Sequence, residues 1–515
     1  MFYRKHLRCA ALTAALLMPL TFIGNAAAED GTLVVAYGAQ PPSFDPHVTT
    51  LSQANTIARN IFETLVTLDA DLNIQPGLAQ SWVVSEDGRK YRFTLRHGVK
   101  FHDGQPLTPN DVVASLQRWG SSSLPGKNLF HEAKWSAEGS DIVTLDLPSP
   151  RFDVLVSLAP GITQSAVIMP ASVIAAAGEK PVTQLIGTGP FRLIDWQADR
   201  MMELERYNDY TSFGGKQSGT AGDRTPTYSN LRIEFVKDEA TRSLGLSTGE
   251  YDIANQLPFD SAAELQKDDT LRVDSYPGGM TNLGFNYNKP GVFEKKEARQ
   301  AVDIGIERQA ILTAAAVDPR FFRLNNHLMM RYQKQWPTDV GETEFNPNDT
   351  EAAKKLLQAS GYKGQPLVLI TTRDYADMYN AAIVLQQQLQ GLGLNVKLES
   401  YDWSTYVKTR ADKNAWDLVV NGGSPKPDPT QLIFLKRDFP GVPHDAALED
   451  MVAKFQHADT IAKALDLYRQ LETWNQNYVP SVRIGETDYV FGMSKRVEGL
   501  QVQDDLILWT VHLKD

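Results

Sequence analysis

LVLITTRDYADMYNAAIVLQQQLQGLGLNVKLESYDWSTYVKTRADKNAWDLVV, residues 367–420, is the stretch that decides the fold class. In it, short apolar runs that suit buried strands alternate with longer runs that have helical spacing. Strands and helices that alternate along a chain indicate an α/β domain whose sheet is largely parallel. The predicted order is strand Leu367–Thr371, helix Tyr379–Leu392, strand Asn395–Ser400, helix Trp403–Lys413 and strand Asp417–Val420.

The alternation begins earlier, with a strand at Leu283–Asn286 and helices at Glu297–Ala315 and Thr350–Ala359. The part before residue 280 is different, because strand patterns and hairpins outnumber helices there. Its predicted elements are a buried strand at Gly31–Tyr37, a helix at Ala54–Leu65, a hairpin between Trp82 and Val99 and a helix that opens at Thr108. Strand-like pattern returns at Tyr489–Val502. The chain therefore reads as a mixed first part, an α/β second part and a short C-terminal return.

The N-terminus, MFYRKHLRCAALTAALLMPLTFIGNAAAED, has the layout of a secretory signal peptide. Arg4, Lys5 and Arg8 precede an apolar stretch, and a small-x-small site ends at Ala28. Cleavage after Ala28 is expected, which leaves 487 residues. A chain of that length is too long for a single core, so two or three domains are expected.

Composition excludes several classes of function. Removal of the signal peptide changes the formal net charge from −11 to −14, because residues 1–28 contain three basic residues and no acidic residue. An acidic chain repels nucleic acid and anionic lipid. Cys9 is the only cysteine and lies inside the signal, so we expect neither a disulfide nor a lipid anchor. No later segment is apolar for long enough to span a membrane, and the protein is expected to be soluble.

Two local motifs invite a catalytic or metal-binding interpretation. GLSTG, residues 245–249, matches G-x-S-x-G, but that nucleophile elbow needs a strand before the serine and a helix after it. Here a predicted helix precedes Ser247 and a strand follows. HGVKFHD, residues 97–103, holds two histidines that would point to opposite faces of an extended segment. We therefore expect no catalytic residue, no metal and no cofactor.

Polar and aromatic loops at the ends of predicted strands form the candidate site, because ligands collect at the carboxyl ends of strands in α/β sheets. NGGSPKPDPT, residues 421–430, is too rich in proline and glycine for a helix or a central strand and is expected to be a rigid loop. Trp403 can stack on a ligand or belong to the core, and the residues alone do not decide. The predicted ligand-binding residues are Pro41, Ser43, Asn282, Gly284, Tyr401, Trp403, Asn421, Gly422, Gly423, Ser424, Lys426 and Asp428.

A resemblance to a known family covers nearly the whole mature chain. The segment from Phe62 to Trp119, FETLVTLDADLNIQPGLAQSWVVSEDGRKYRFTLRHGVKFHDGQPLTPNDVVASLQRW, closely resembles the signature region of family 5. These are the periplasmic solute-binding proteins of peptide, nickel and opine ABC importers. Matching motifs follow in the family's order: IGTGPFRLIDW (186–196), STGEYDIA (247–254), LGFNYNKPGVFEKKEARQAVDIGIER (283–308) and AAKKLLQASGY (352–362).

The resemblance implies a two-lobed α/β clamshell of the type II, cluster C class, with a subdomain inserted in domain I. Domain I would comprise 29–60, 185–275 and 489–515, the inserted subdomain 61–184, and domain II 276–488. The lobes would close over a peptide or other small solute by hinge bending, and a periplasmic monomer would deliver it to an ABC permease and ATPase. The function implied is capture and delivery, not catalysis.

The sequence departs from the peptide binders of this family at one position. In those proteins an aspartate about three residues before the aspartate of a D-P pair binds the α-amino group of the peptide. Here the pair is Asp428-Pro429, and residues 421–427 contain no acid and one base, Lys426. Opines, sugar phosphates, modified peptides and oligosaccharides therefore stand beside ordinary peptides. An exported hydrolase using Ser247, and a chaperone or sensor built on the same clamshell, are the alternatives from other classes.

Overall fold

The computed structural model describes residues 29–514, apart from 39, 131, 162–163, 343–344, 424, 427, 433–434 and 436–438. The predicted signal peptide, residues 1–28, and the predicted ligand-binding residue Ser424 lie outside the described residues.

The elements follow one another along the chain in three groups. The first group, up to residue 182, contains β1 (Glu29–Tyr37), α1 (Ser52–Ala58), β2 (Val66–Leu68), β3 (Ile74–Pro76), β4 (Ala79–Val84), β5 (Lys90–Leu95), α2 (Pro109–Ser122), α3 (Leu124–Phe130), β6 (Lys134–Glu138), β7 (Ile142–Asp146), α4 (Val154–Ser157) and α5 (Ala171–Ala177). The second contains β8 (Phe191–Gln197), β9 (Met201–Arg206), β10 (Tyr228–Phe235), α6 (Glu239–Ser247), β11 (Ile253–Leu257), α7 (Phe259–Leu265) and β12 (Leu271–Phe285).

The third group holds the alternating region and the return of the chain. It contains α8 (Lys296–Gly305), α9 (Arg308–Ala316), β13 (Phe322–Arg323), α10 (Thr350–Ala359), β14 (Leu367–Thr372), α11 (Ala376–Gly391), β15 (Val396–Tyr401), α12 (Trp403–Ala411), β16 (Leu418–Gly423), α13 (Ala446–Gln456), α14 (Ile461–Tyr478), β17 (Ser481–Ser494), β18 (Val497–Glu498), β19 (Gln501–Val502), β20 (Leu506–Ile507) and β21 (His512–Leu513).

One sheet runs through most of the molecule, in the order β15-β14-β16-β12-β17-β11-β1-β10-β9-β8. The fold class is α/β, as predicted, but the expectation of a largely parallel sheet is wrong. Parallel pairing is confined to β14–β15, β14–β16, β1–β10 and β1–β11, and the other neighbours are antiparallel. The long strands β12 and β17 pair with each other in antiparallel orientation. They lie in the middle of the sheet, between the two groups of parallel strands.

Three apolar cores are packed around this framework. One surrounds β14–β16 and helices α8–α14, and it also includes Leu246, Tyr251 and Leu271 from the range predicted for domain I. The second combines β1, α1, β8–β10 and the C-terminal return. The third draws all of its buried residues from 65–168, within the range 61–184 predicted for the inserted subdomain. The domain boundaries themselves stay a prediction.

Two predicted elements have different limits in the structure. The helix predicted at Glu297–Ala315 is two helices, because Ile306 and Glu307 are extended and the Glu307 carboxylate accepts hydrogen bonds from the N–H groups that open α9. The predicted loop 421–430 begins as a strand, since residues 421–423 pair with residues 280–282 as the end of β16. Glycine keeps its N–H for such pairing, and only the prolines that follow lack one.

Candidate functional site

A cleft of about 970 Å³ opens between the segment predicted as the inserted subdomain and the second part of the chain. One wall comes from the first 182 residues, and the floor and opposite wall come from the region after residue 276. The residues of the first wall are Thr50, Leu124, Pro125, Leu129, Arg151, Asp153 and Gln164. Residues that line the other sides include Met280, Asn282, Leu328, Met329, Met330, Gln333, Trp403, Arg410, Asn421, Gly422, Gly423, Pro425, Lys426, Asp428, Glu449, Gln456 and Arg483.

The floor of the cleft is a row of three polar side chains on adjacent strands. Asn421 on β16 lies directly opposite Asn282 on β12, and Asn282 lies opposite Arg483 on β17. Residues opposite one another in a sheet project from the same face, so the register brings the three side chains together. Each is at most 4% exposed, and each lines the cleft.

Helix α12 supports the Asn421 end of the row. Tyr406 and Arg410, one helical turn apart, both reach the Asn421 side chain: the Tyr406 hydroxyl lies 2.8 Å and Arg410 Nη1 lies 3.0 Å from Asn421 Oδ1. The Arg410 guanidinium also lies over the Tyr406 ring, 5.3 Å from its centroid. Asn421 is therefore a fixed part of the cleft floor.

Arg483 is fixed at the other end of the row. Its Nη1 donates to Asn282 Oδ1 at 3.0 Å and contacts Met280 Sδ at 2.7 Å, and its Nη2 donates to the Leu328 carbonyl at 2.7 Å. Burial lowers the pKa of Arg483 to about 10, while the nearby Glu472 carboxylate opposes that change. At neutral pH the guanidinium is still protonated, so it brings a positive charge to the cleft floor.

Glu472 lies behind Arg483 in the interior. Its carboxylate accepts hydrogen bonds from the Leu328 N–H at 2.7 Å and from the Tyr468 hydroxyl at 2.6 Å. Burial raises the pKa of Glu472 to about 7, although these bonds and the Arg483 charge favour its ionised form. The charge state of this support therefore changes near neutral pH.

Side-chain hydrogen bonds hold the described residues of the cleft loop, 425, 426 and 428–431. Asp428 accepts hydrogen bonds from the Thr430 N–H at 2.8 Å and from Gln431 Nε2 at 2.7 Å, which caps a short 3₁₀ turn. Burial, with a contribution from the neighbouring Asp153, raises the pKa of Asp428. Gln333 Nε2 donates to the Lys426 carbonyl at 2.6 Å. The Asp428 carboxylate is thus engaged in shaping the loop.

Trp403 stands at the cleft as an accessible aromatic residue. It is 36% exposed, stacks on Tyr406 with ring centroids 5.5 Å apart, and meets Tyr375 edge-on at 4.9 Å. Of the two interpretations that the sequence left open, the core one is excluded by this exposure.

The structure brings seven of the twelve predicted residues to the cleft: Asn282, Trp403, Asn421, Gly422, Gly423, Lys426 and Asp428.

Four others, Pro41, Ser43, Gly284 and Tyr401, do not line this cleft. Pro41 and Ser43 lie in the loop after β1, which is held against the first part of the chain where Asp45 binds Arg118 at 2.6 Å. Gly284 is buried in the sheet opposite Val419. The Tyr401 hydroxyl donates to Glu399 at 2.7 Å, away from the cleft.

Sequence reasoning missed the arginines of the cleft. Arg483 lies within the buried strand β17, and a charged residue in a buried strand is a signal that could have been used. Arg410 lies one turn after Tyr406 on α12, so both side chains are on the same face of the helix. The sequence does not show that this face points to the cleft. Arg151 and Asp153 pair with each other through two hydrogen bonds. They lie more than a hundred residues before the polar side chains of the cleft floor, so nothing in the sequence groups them with the site.

The other sequence motifs have structural roles. His102 is held by the Gly189 carbonyl and the Gly187 N–H, and burial lowers its pKa to about 4. Ser247 ends helix α6 and donates to the Ser243 carbonyl, with a strand following at residue 253. Within the described ranges, no three His, Cys, Asp or Glu side chains converge on a possible metal position. Every helix of the described residues is too short or too polar to cross a membrane.

The structure has two groups of elements, a cleft between them and one sheet whose strands come from both groups. This architecture is that of two-lobed solute-binding proteins. The chain belongs to the bacterial extracellular solute-binding proteins, family 5, whose model matches residues 73–437. It is 26% identical over 488 residues to the probable peptide ABC transporter periplasmic-binding protein y4tO of Sinorhizobium fredii, which covers 91% of each chain. The glutathione-binding protein GsiB of Pectobacterium atrosepticum is 27% identical over 410 residues, 78% of this chain and 74% of that one.

A solved structure with a similar fold is the ABC transporter substrate-binding protein CtaP of Listeria monocytogenes. Its TM-score is 0.82 at 22% identity, and the match covers 94% of this chain and 99% of that one. The predicted family and its two-lobed fold are confirmed. The protein is thus an extracellular solute-binding protein of family 5.

Proposed function

We propose that this protein captures a peptide or peptide-sized polar solute in the cleft and delivers it to an ABC permease and ATPase. The cleft itself is the observation that carries the proposal. Its volume of about 970 Å³ is at the upper end of the range of small-molecule sites. Polar groups at its floor and an aromatic side chain at its wall are the composition that such sites use to orient a solute.

The polar groups of the cleft favour a solute that carries hydrogen-bond acceptors. Arg410, Lys426 and Arg483 line it together with three carboxylates, Asp153, Asp428 and Glu449, each of which already has a partner within the protein. A lone ammonium group enclosed here would have to compete for those carboxylates. Relatives described as binding peptides and glutathione fit a peptide-like solute, and an opine, a sugar phosphate or an oligosaccharide remains as the second ligand class.

Cellular placement is part of the same proposal. The tripartite pattern of residues 1–28 supports export, and the periplasmic names of the relatives support the periplasm as the destination. Binding would proceed as a monomer, without a cofactor and without covalent chemistry.

Thermal unfolding with candidate pools tests the function. A solute that binds only the folded protein raises its stability by about 2.7 kcal/mol at a hundredfold excess over Kd. We expect one pool of peptides, opines, phosphorylated sugars or oligosaccharides to raise the melting temperature, and the active component to bind with a stoichiometry of one. If every pool leaves the melting temperature unchanged, the proposed function is wrong.

A further inference from the structure

We propose that Asn282 and Asn421 determine the specificity of the cleft by donating hydrogen bonds from both side-chain amides to one carboxylate of the solute. This inference rests on the proposed function and names the chemical group that the cleft selects.

The orientation of the Asn421 amide follows from its neighbour Arg410. A guanidinium can only donate hydrogen bonds, so the Asn421 atom that lies 3.0 Å from Arg410 Nη1 must be the carbonyl oxygen. The Asn421 NH₂ group is thereby turned away from Arg410. Within the described part of the chain, no protein acceptor binds Asn421 Nδ2.

The Asn282 amide is oriented by the same logic at the next strand. Arg483 Nη1 lies 3.0 Å from Asn282 Oδ1, which fixes that atom as the acceptor. Asn282 Nδ2 has only a long contact of 3.5 Å to the Met280 carbonyl, at the limit of hydrogen bonding. Two guanidinium groups therefore leave two amide donors for other partners.

The two amides are adjacent, because Asn282 and Asn421 are direct cross-strand partners. The Cβ atoms of such partners lie about 4.5–5.5 Å apart. Both residues are 4% exposed and line the cleft, so their amides are largely withdrawn from bulk water. Arg410 and Arg483 place positive charge on either side of the pair, and hydrogen bonds to an ionised acceptor are the strong ones.

A planar carboxylate fits this arrangement best, since its two oxygens can each accept from one amide. A neutral amide in its place would bring an NH₂ group against a donor and would lose the attraction of the guanidinium charges. The difference expected for one charged hydrogen-bonded group is about 10- to 100-fold in Kd.

Isothermal titration with matched probes tests the inference on the purified protein. The probes are trialanine and its C-terminal amide, glutathione and its diethyl ester, and glucose 6-phosphate and glucose. The variants are Asn421→Asp and Asn282→Asp, which keep shape and can still pair with their arginines but replace an amide donor by a repelling carboxylate. Asn348→Asp adds the same charge at an exposed position and serves as the control.

We expect a carboxylate probe to bind the wild type and the Asn348→Asp control at least about 10-fold more tightly than its neutral partner. Both cleft variants should lose most of that binding while their melting temperatures stay near that of the wild type. The comparison of acid and neutral probe on the wild type needs no variant, so it decides the question even where a variant fails to fold.

Three results would overturn the inference, and they are distinguishable from one another. Equal affinity for the acid and neutral members of a pair would refute carboxylate selection and leave the proposed function standing. Binding of glucose 6-phosphate alone would assign the amides to a phosphate. Absence of binding by every probe and every candidate pool would refute the proposed function, and this inference with it.

Discussion

Single residues in this cleft act through the partners that hold them. Arg410 and Arg483 each bind the oxygen of an asparagine, and Asp428 is used within its own loop. Two of the side chains predicted to contact the solute, Asn282 and Asn421, are thus held by arginines that the sequence did not identify. Trp403 is the exception, because its exposed face is available directly.

Replacing Trp403 by alanine is expected to weaken solute binding about 10-fold and to change the free energy of unfolding by less than about 1 kcal/mol. The physical reason is that a half-exposed ring offers stacking area to a solute but fills little of the core. Titration and denaturant unfolding of the same preparation measure the two effects. Trp416→Ala is the control: Trp416 is fully buried, and its loss should cost about 3–5 kcal/mol. A large loss of stability with unchanged affinity for Trp403→Ala would contradict this account.

At the scale of elements, helix α14 supports strand β17 from behind the cleft. Glu472 on α14 bonds Tyr468 on the same helix and the Leu328 N–H, and it lies near Arg483 on β17. The helix therefore places a titratable group next to the guanidinium that orients Asn282. This coupling makes the stability of the element pair depend on pH.

Glu472→Gln is expected to gain stability relative to the wild type as pH rises. The pKa of Glu472 is about 7 in the folded protein against an ordinary 4.5, so folding takes up a proton between these values and wild-type stability falls across that window. Glutamine has no such proton, and the relative gain between pH 4.5 and pH 8 should be about 3 kcal/mol. Denaturant unfolding of both proteins at the two pH values measures it, and a difference that is the same at both would refute the assignment.

Element type was largely predictable from the sequence, and element limits were not. Strand and helix periods between residues 367 and 420 gave every element there, because each buries a face whose spacing is visible in the chain. The break at Ile306 was invisible, since helical spacing continues through it and a side-chain cap decides where α9 begins. The strand at Asn421–Gly423 was missed because its pairing with β12 is a long-range contact.

At the scale of the whole molecule, a direct contact joins the two sides of the cleft. Phe152, from the first part of the chain, meets Phe455 and Trp336 edge-on at 5.5 and 6.2 Å, and its N–H donates to the Ala458 carbonyl at 3.1 Å. If the lobes close over a solute, this aromatic contact belongs to the closed form. The cleft could not be predicted from the sequence, because it depends on contacts such as this one between distant parts of the chain. The family motifs alone were sufficient to predict the two-lobed fold.

Phe152→Ala is expected to weaken solute binding about 10-fold, because part of the interaction that holds the closed form is lost. The free energy of unfolding should change by less than it does for Phe259→Ala, a half-buried ring that packs on Phe321 and does not line the cleft. Titration gives the affinity, and small-angle scattering of the solute-free protein should show a larger radius of gyration for Phe152→Ala. Unchanged affinity together with an unchanged radius would show that the contact has no part in closure.

Native mass spectrometry of the protein mixed with solute pools tests the central claim most directly, namely that a small solute binds on the Asn282–Asn421 floor of the cleft. We predict one adduct with the mass of a single carboxylate-bearing solute, retained by Asn348→Asp and lost by Asn421→Asp. An adduct retained equally by Asn421→Asp, or no adduct from any pool, would contradict the claim.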